Sequence, residues 1–325
     1  MSVKNRRETE INLGTSGARD AFTRLRVSNP TTIFDSKQIF DNAPLFWDDQ
    51  EVSGAGTTST YSKDNARSRL AVSASTAGKR VRQTFMRFNY NPGKSQLCFM
   101  TGVLGAGAAG ITQEIGMHDD NNGVLFQCKD GVIRVIIRSS VSGSAVDEVV
   151  TQAEWNLDTL DGAGKLNINP SEHLAIWSNN QVFMFDYEWL GTGRVRLGIV
   201  IGGEIFYVHE FLNANVRTTV YMSTPNLPLR YSIENDGTGG AAFLDHICSS
   251  VSSEGGADQN GIIRHVESAG TVLDAASTNV FYALLGMRLK STHFGATVLP
   301  LEVGISEYAG SKFYAWHWLL NPTVA

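Results

Sequence analysis

Several groups of residues in this sequence have the types and spacing from which chemistry could be built. Gly105, Gly107 and Gly110 match G-x-G-x-x-G behind an apolar run. That pattern grips a dinucleotide when its glycines open a helix whose N-terminus faces the pyrophosphate. The residues that follow, ITQEIGMHDDNNGVLF, read as a strand and a turn with no room for a crossover helix, so the match reads as a small-residue loop. Asp119-Asp120-Asn121-Asn122-Gly123 and the loop Asp158 to Gly162 offer oxygens of the kind calcium takes. Neither has calcium-loop spacing, and Asp or Asn beside Gly is ordinary turn chemistry. Asp186 and Glu188, two apart in FDYEWLG, would share a strand face. Glycoside hydrolysis needs two carboxylates flanking the bond, but without a tight run of acids on one strand this reads as a surface or loop pair. The seven histidines include no H-E-x-x-H pair, no Cys-x-x-Cys accompanies them, and there is no G-x-S-x-G elbow. The expectation is a chain with no catalytic site, no metal and no cofactor.

The elements that would position such residues are strands. GVLFQCKDGVIRVIIRSS alternates apolar and polar residues on both sides of Asp130-Gly131, and RVRLGIVIGGEIFYVHEF does so around Gly202-Gly203. Both predict hairpins closed by turns that need positive φ. In the second, Ile205, Tyr207, His209 and Phe211 are expected on one face. QLCFMTGVL is almost continuously apolar, as a strand buried on both faces would be. Short strands spaced by Gly, Asn and Asp turns from residue 51 to 230 predict a sandwich of two antiparallel sheets, a jelly roll. Residues 231–325 restart the pattern after PNLPLRYSI, with IRHV, VFYALLGMRLK, ATVLPLEVGI and FYAWHWLL separated by connections such as SSVSSEGGADQNG. They are expected to form a second, smaller β domain.

Residues 1–50 differ. Phe22, Leu25, Ile33, Phe34, Phe40, Leu45, Phe46 and Trp47 stand there without sustained periodicity, among polar residues and two prolines. Apolar side chains with no local core need an outside surface, so the stretch reads as an extended docking arm whose assembly interface is these eight residues. The alternative is a first edge strand and loop. The six tryptophans are by default core fillers of a sandwich, with sugar stacking or interface anchoring as the other uses.

With 325 residues, 42% hydrophobic and only 18% charged, the chain is globular and can bury a large core. A net charge of −5 supplies no attraction to phosphates, so nucleic acid is not an expected partner. No run approaches the ~20 apolar residues that cross a bilayer, and no membrane partner is expected. The N-terminus carries no apolar run of a secretory signal. Three widely spaced cysteines make no disulfide framework and suggest folding in a reducing cytosol.

The runs DAFTRLRVSNPTTIFDSKQIFDNAPLFWDD, RQTFMRFNYNPGKSQLCFMTG, EWNLDTLDG, EWLGTGRVRLGI, HEFLNANV and VYMSTPNLPLRYSIEN together resemble a family of structural proteins of tailed bacteriophages. The likeness spans most of residues 20–236 and is looser beyond 240. It implies a virion component, assembled in the host cytoplasm, with a lectin-like (concanavalin A-like) jelly roll behind an N-terminal arm, and no activity. The implied partners are copies of the chain itself, as a homo-oligomer such as a trimer, and other virion proteins of the tail, neck or baseplate. Capsid decoration and a lectin-like module for host surface glycans are the alternatives. The family pattern has Gly where this chain has Thr23, so the turn there is expected to differ.

Overall fold

The computed structural model describes residues 17–257 except 28, 106, 162–163 and 165–176, and beyond them 261–268, 270–271, 277, 280–290, 293, 296, 298–306 and 315–319. The protein falls into two units, residues 1–258 and 259–325.

The first unit is an antiparallel sandwich. Its strands are β1 (Thr31–Lys37), β2 (Trp47–Gly54), β3 (Thr57–Ser62), β4 (Arg67–Val72), β5 (Gly78–Thr84), β6 (Ser95–Val103), β7 (Ile111–His118) and β8 (Gly123–Lys129). They continue with β9 (Val132–Ser139), β10 (Val146–Thr151), β11 (Gln181–Tyr187), β12 (Val195–Ile201), β13 (Glu204–Phe211), β14 (Leu229–Asn235) and β15 (Ala242–Glu254). One sheet runs β13-β12-β11-β6-β15-β4-β3, with β1 also against β15; the other runs β10-β9-β8-β7-β14-β5-β2.

Alternation decides which side chains meet between the sheets. On β7, Ile111, Ile115 and Met117 enter the core, while Glu114 and His118 take the opposite parity. The central strand β6 is buried on both faces: Cys98 and Met100 point into the main core, and Leu97 packs with Met184 and Tyr207 on the other side. An aromatic nucleus of Phe126, Phe183, Phe185, Trp155 and Trp177 holds the sheets together, with ring centroids 5.2–6.3 Å apart. Each such side chain contributes roughly 1.5–3 kcal/mol by leaving water. The two expected hairpins form, β8–β9 through Asp130 (φ +53°) and Gly131 (φ +76°) and β12–β13 through Gly202 (φ +61°) and Gly203 (φ +86°).

The sandwich is longer at both ends than residues 51–230. PNLPLRYSI does not link domains: Leu229–Asn235 is β14, between β7 and β5 at the centre of its sheet. The first six residues of the Ser-rich run, Ser249–Glu254, are not a connection either. They end β15, which serves as a seam, with β6 along Asp245–Glu254 on one side and β4 then β1 along the other. Small hydroxyl side chains fit that crowded centre, and their polarity hides the strand from any reading by hydrophobic pattern. The second hairpin also departs from strict alternation. A bulge opposite Leu197 and Gly198 leaves Tyr207 with Leu97 and Met184, while Val208 and Phe211 enter the main core.

In the second unit, none of the described residues lies in a strand, so the expected second β domain is not formed by them.

Candidate docking surface

Residues 1–16 of the expected arm lie outside the described residues, and the remainder of residues 1–50 does three different things. Residues 31–37 form β1, paired to Cys248–Ser253, and residues 47–54 form β2, paired to β5. Phe34 and Trp47 are therefore core residues, not interface residues: Phe34 lies 5.2 Å from Phe88 and Trp47 5.9 Å from Tyr231, centroid to centroid. The Trp47 indole N–H donates to Ser36 Oγ at 2.9 Å, and its ring packs on His246. Ile33 packs half-buried against the same core. The strand alternative won because β15 offers β1 a free edge that no local signal announces.

Residues 17–27 fold back on the outer face of the β13-β12-β11-β6 sheet, and charge holds them there. Arg26 donates from Nη2 to Asp186 Oδ2 at 2.6 Å, from Nε to Glu254 Oε1 at 2.6 Å, and from Nη1 to the Gly17 carbonyl at 2.6 Å. Asp186 also receives Tyr207 OH at 2.7 Å, Ser95 Oγ at 2.6 Å and the Arg196 guanidinium. Arg194 Nε and Arg196 Nη2 donate to the backbone carbonyls of Ala21 and Arg19. The turn between is tight: Asp20 N–H donates to Arg24 O and Thr23 N–H to Asp20 O, both at 2.9 Å. Thr23 sits at its tip with φ +65°. Phe22 is half-buried under the Arg24 guanidinium, 4.6 Å from its ring centroid, and Leu25 and Val27 face solvent.

The loop from Gln38 to Phe46, between β1 and β2, projects the remaining residues expected at an interface. It is pinned from beneath. Buried Gln38 accepts from Ser68 Oγ and Arg82 Nη2, and Arg82 also donates to the Asn42 carbonyl. Asp41 Oδ1 accepts from Ala43 N–H at 2.8 Å, while Ala43 O receives Phe46 and Trp47 N–H. On this fixed frame Phe40 is 82% exposed, Leu45 87% and Phe46 54%. Phe85 N–H donates to Phe46 O at 3.0 Å, which sets exposed Phe85 and Met86 beside them. Those two follow β5 in RQTFMRF and were not among the eight residues expected at an interface. Adjacent side chains of an extended segment point to opposite faces, so at most one of the two can enter the main core.

The acids that could do chemistry are engaged elsewhere. Asp186 is buried in the arginine network above, and Glu188 lies beyond the end of β11, accepting the Arg194 N–H at 3.0 Å. Glu114 on β7 accepts from Gln127 Nε2 and Ser232 Oγ, both at 2.9 Å, and pairs with Arg138 at 3.2 Å. His118 shares its face, fully buried with neither ring nitrogen hydrogen-bonded, and burial drives its pKa down to about 3. His246 is likewise held far below the usual histidine range by burial and by Arg82, whose Nε donates to its Nδ1 at 3.0 Å. Asp119 and Asp158 turn back on their own loops, accepting backbone N–H groups of Asn121, Asn122 and Leu160. Among the described residues no group of three or more His, Cys, Asp or Glu could hold a metal ion. A cleft of about 420 Å³ lies between the edge strands β10 and β13, lined by Glu148, Glu154, His209, Glu210, Phe211 and Arg217. Its carboxylates are paired as well: Glu148 with Arg217, Glu154 with Thr151, Glu210 with Arg194.

Strand order and alternation define the class as an all-β protein of the jelly-roll, lectin-like sandwich type. No protein-family model matches the sequence, and no curated protein matches it significantly. Similar solved structures include the legume lectin-like domain from Entamoeba histolytica, 7% identical over 67% of this chain and 95% of that one, with a TM-score of 0.38. Another is a mixed-linkage-glucan GH16 protein of Bacteroides ovatus in complex with its product, 11% identical over 67% and 99%, TM-score 0.42. A third is the CBM2 module of the evolved Dit of Lactobacillus casei BL23 phage J-1, 8% identical over 69% and 96%, TM-score 0.41. No activity, ligand or partner passes from this likeness to this chain.

Proposed function

We propose that this chain is a non-enzymatic structural component of a tailed-phage virion, associated with the tail, neck or baseplate, and that it docks through the Gln38–Phe46 loop. One observation carries the reading: Phe40, Leu45 and Phe46, joined by Phe85 and Met86, are held in water on a loop pinned by buried hydrogen bonds. A monomer gains nothing from a rigid exposed apolar cluster, whereas aromatic anchors of this kind dominate protein interfaces. The absence of a role in catalysis is supported by the carboxylates, which are spent on arginines, amides and hydroxyls.

The test is incorporation. Phage lacking the chain is complemented with wild type or with Phe40→Asp combined with Leu45→Asp. Loss of two interface anchors at ~2 kcal/mol each lowers affinity by roughly a thousandfold and removes the protein from purified particles. Incorporation of the doubly substituted chain at the wild-type level, with the sandwich folded in both cases, would overturn the proposal.

A further inference from the structure

The second unit carries a pattern that its described residues do not use for pairing. Leu299, Leu301, Val303 and Ile305 alternate with Pro300, Glu302, Gly304 and Ser306; Leu285, Met287 and Leu289 alternate with Gly286, Arg288 and Lys290; Trp316 and Trp318 flank His317. This is the period-two signature of strands with one apolar face. Yet none of these residues is in a strand, and every Val, Leu, Ile, Met, Phe and Trp among the described residues of the unit is exposed. The backbone hydrogen bonds found there, Thr271 to Ser268, His293 to Lys290 and Ala296 to His293, are all local turns. Ring contacts are few and at the surface, such as Phe281 with His317 at 5.6 Å. Strand-forming segments left with unpaired N–H and C=O groups are templates for pairing with another chain.

We infer that the alternating segments 285–290, 299–306 and 316–318 form strands between copies of this chain, each copy supplying strands that complete a core shared by all. Three observations favour the chain itself as the occupant. The described residues of the unit expose seventeen large apolar side chains, enough to furnish the apolar centre of a stable protein interface. The unit carries four Lys or Arg and four Asp or Glu, so identical copies meet without net repulsion although the whole chain has a net charge of −5. Identical segments also present identical alternation, and a closed ring of copies satisfies every unpaired edge in the same way. The inference goes beyond the docking loop, which involves different residues and a different partner.

Sedimentation of the full-length protein tests it. The expected species is a discrete multiple of 35.4 kDa that persists at micromolar concentration. Leu301→Glu combined with Ile305→Glu is expected to return the protein to a monomer, with the near-ultraviolet circular dichroism of the buried core tryptophans unchanged. Phe40→Asp is expected to leave the multiple intact, which separates this result from the docking test. Hydrogen exchange gives a reading that needs no variant: amides of residues 299–305 should be at least a hundredfold slower in the multiple than in a dissociated sample. A wild-type monomer would overturn the inference. So would an unchanged mass in the double variant, or open-ended aggregation that grows with concentration, or exchange at residues 299–305 as fast as in an unstructured chain.

Discussion

Residues 17–27 and 31–47 read alike as sequence, apolar residues scattered among charges, but they attach to the sandwich by opposite physics. The first is held from outside: Arg26 reaches Asp186 and Glu254, and its apolar residues Leu25 and Val27 stay in water. The second is held from inside: Phe34 and Trp47 enter the main core, and the loop between their strands points its own apolar residues outward. Apolar content alone therefore does not say what a segment docks on. Parity within a strand and a hydrogen-bonded frame decide which side chains become structure and which remain available to a partner.

The sharpest way to break this contrast is Trp47→Ala. Its ring packs between Phe34, Tyr231 and His246, so truncation leaves a cavity in the main core and costs ~3–5 kcal/mol, read as a shift in the urea midpoint at constant slope. A cost below 1 kcal/mol would mean that Trp47 is not a core residue. Arg26→Met should act differently. Asp186 keeps Arg196, Tyr207 and Ser95, so the sheets stay intact, while Glu254, whose pKa burial already raises, loses its guanidinium. Global stability should fall by only ~2 kcal/mol. Trypsin should then cut at Arg19 and Arg24 much faster than in wild type. Equal loss of both segments in the two variants would erase the distinction.

The sheets were legible wherever a strand and its turn sit together in the chain. Asp130-Gly131 and Gly202-Gly203 announced their hairpins because positive φ is cheap for such residues, and β6 announced itself by continuous apolarity. The ends of the sandwich were not legible. β14 follows two prolines and β15 is rich in serine, and both owe their place to partners more than a hundred residues away. The proposed docking loop was half legible: Phe40, Leu45 and Phe46 were drawn from composition, but so were Phe34 and Trp47, which the core claims. Arg26, Asp186 and Glu254 gave no local sign of one another, since ion pairs across 160 and 228 residues leave no trace in spacing.

The smallest effect concerns the turn that returns residues 17–27 to the sheet. Thr23 adopts φ +65°, a conformation in which Cβ crowds the following carbonyl at a cost of roughly 1–2 kcal/mol for an L-residue, and β-branching makes it worse. Its backbone N–H bond to Asp20 O needs no side chain, and the residue is exposed. Thr23→Gly therefore relieves the strain without losing a contact, while the freer unfolded chain takes back ~0.5–1 kcal/mol. The net is a gain of about 0.5 kcal/mol, confined to the externally held segment and visible as slower tryptic cleavage at Arg24 and Arg19. The same substitution should leave the urea midpoint of the core nearly where it was. A destabilised segment would mean that the threonine side chain itself braces the turn, and the outer attachment would then rest on more than its charges.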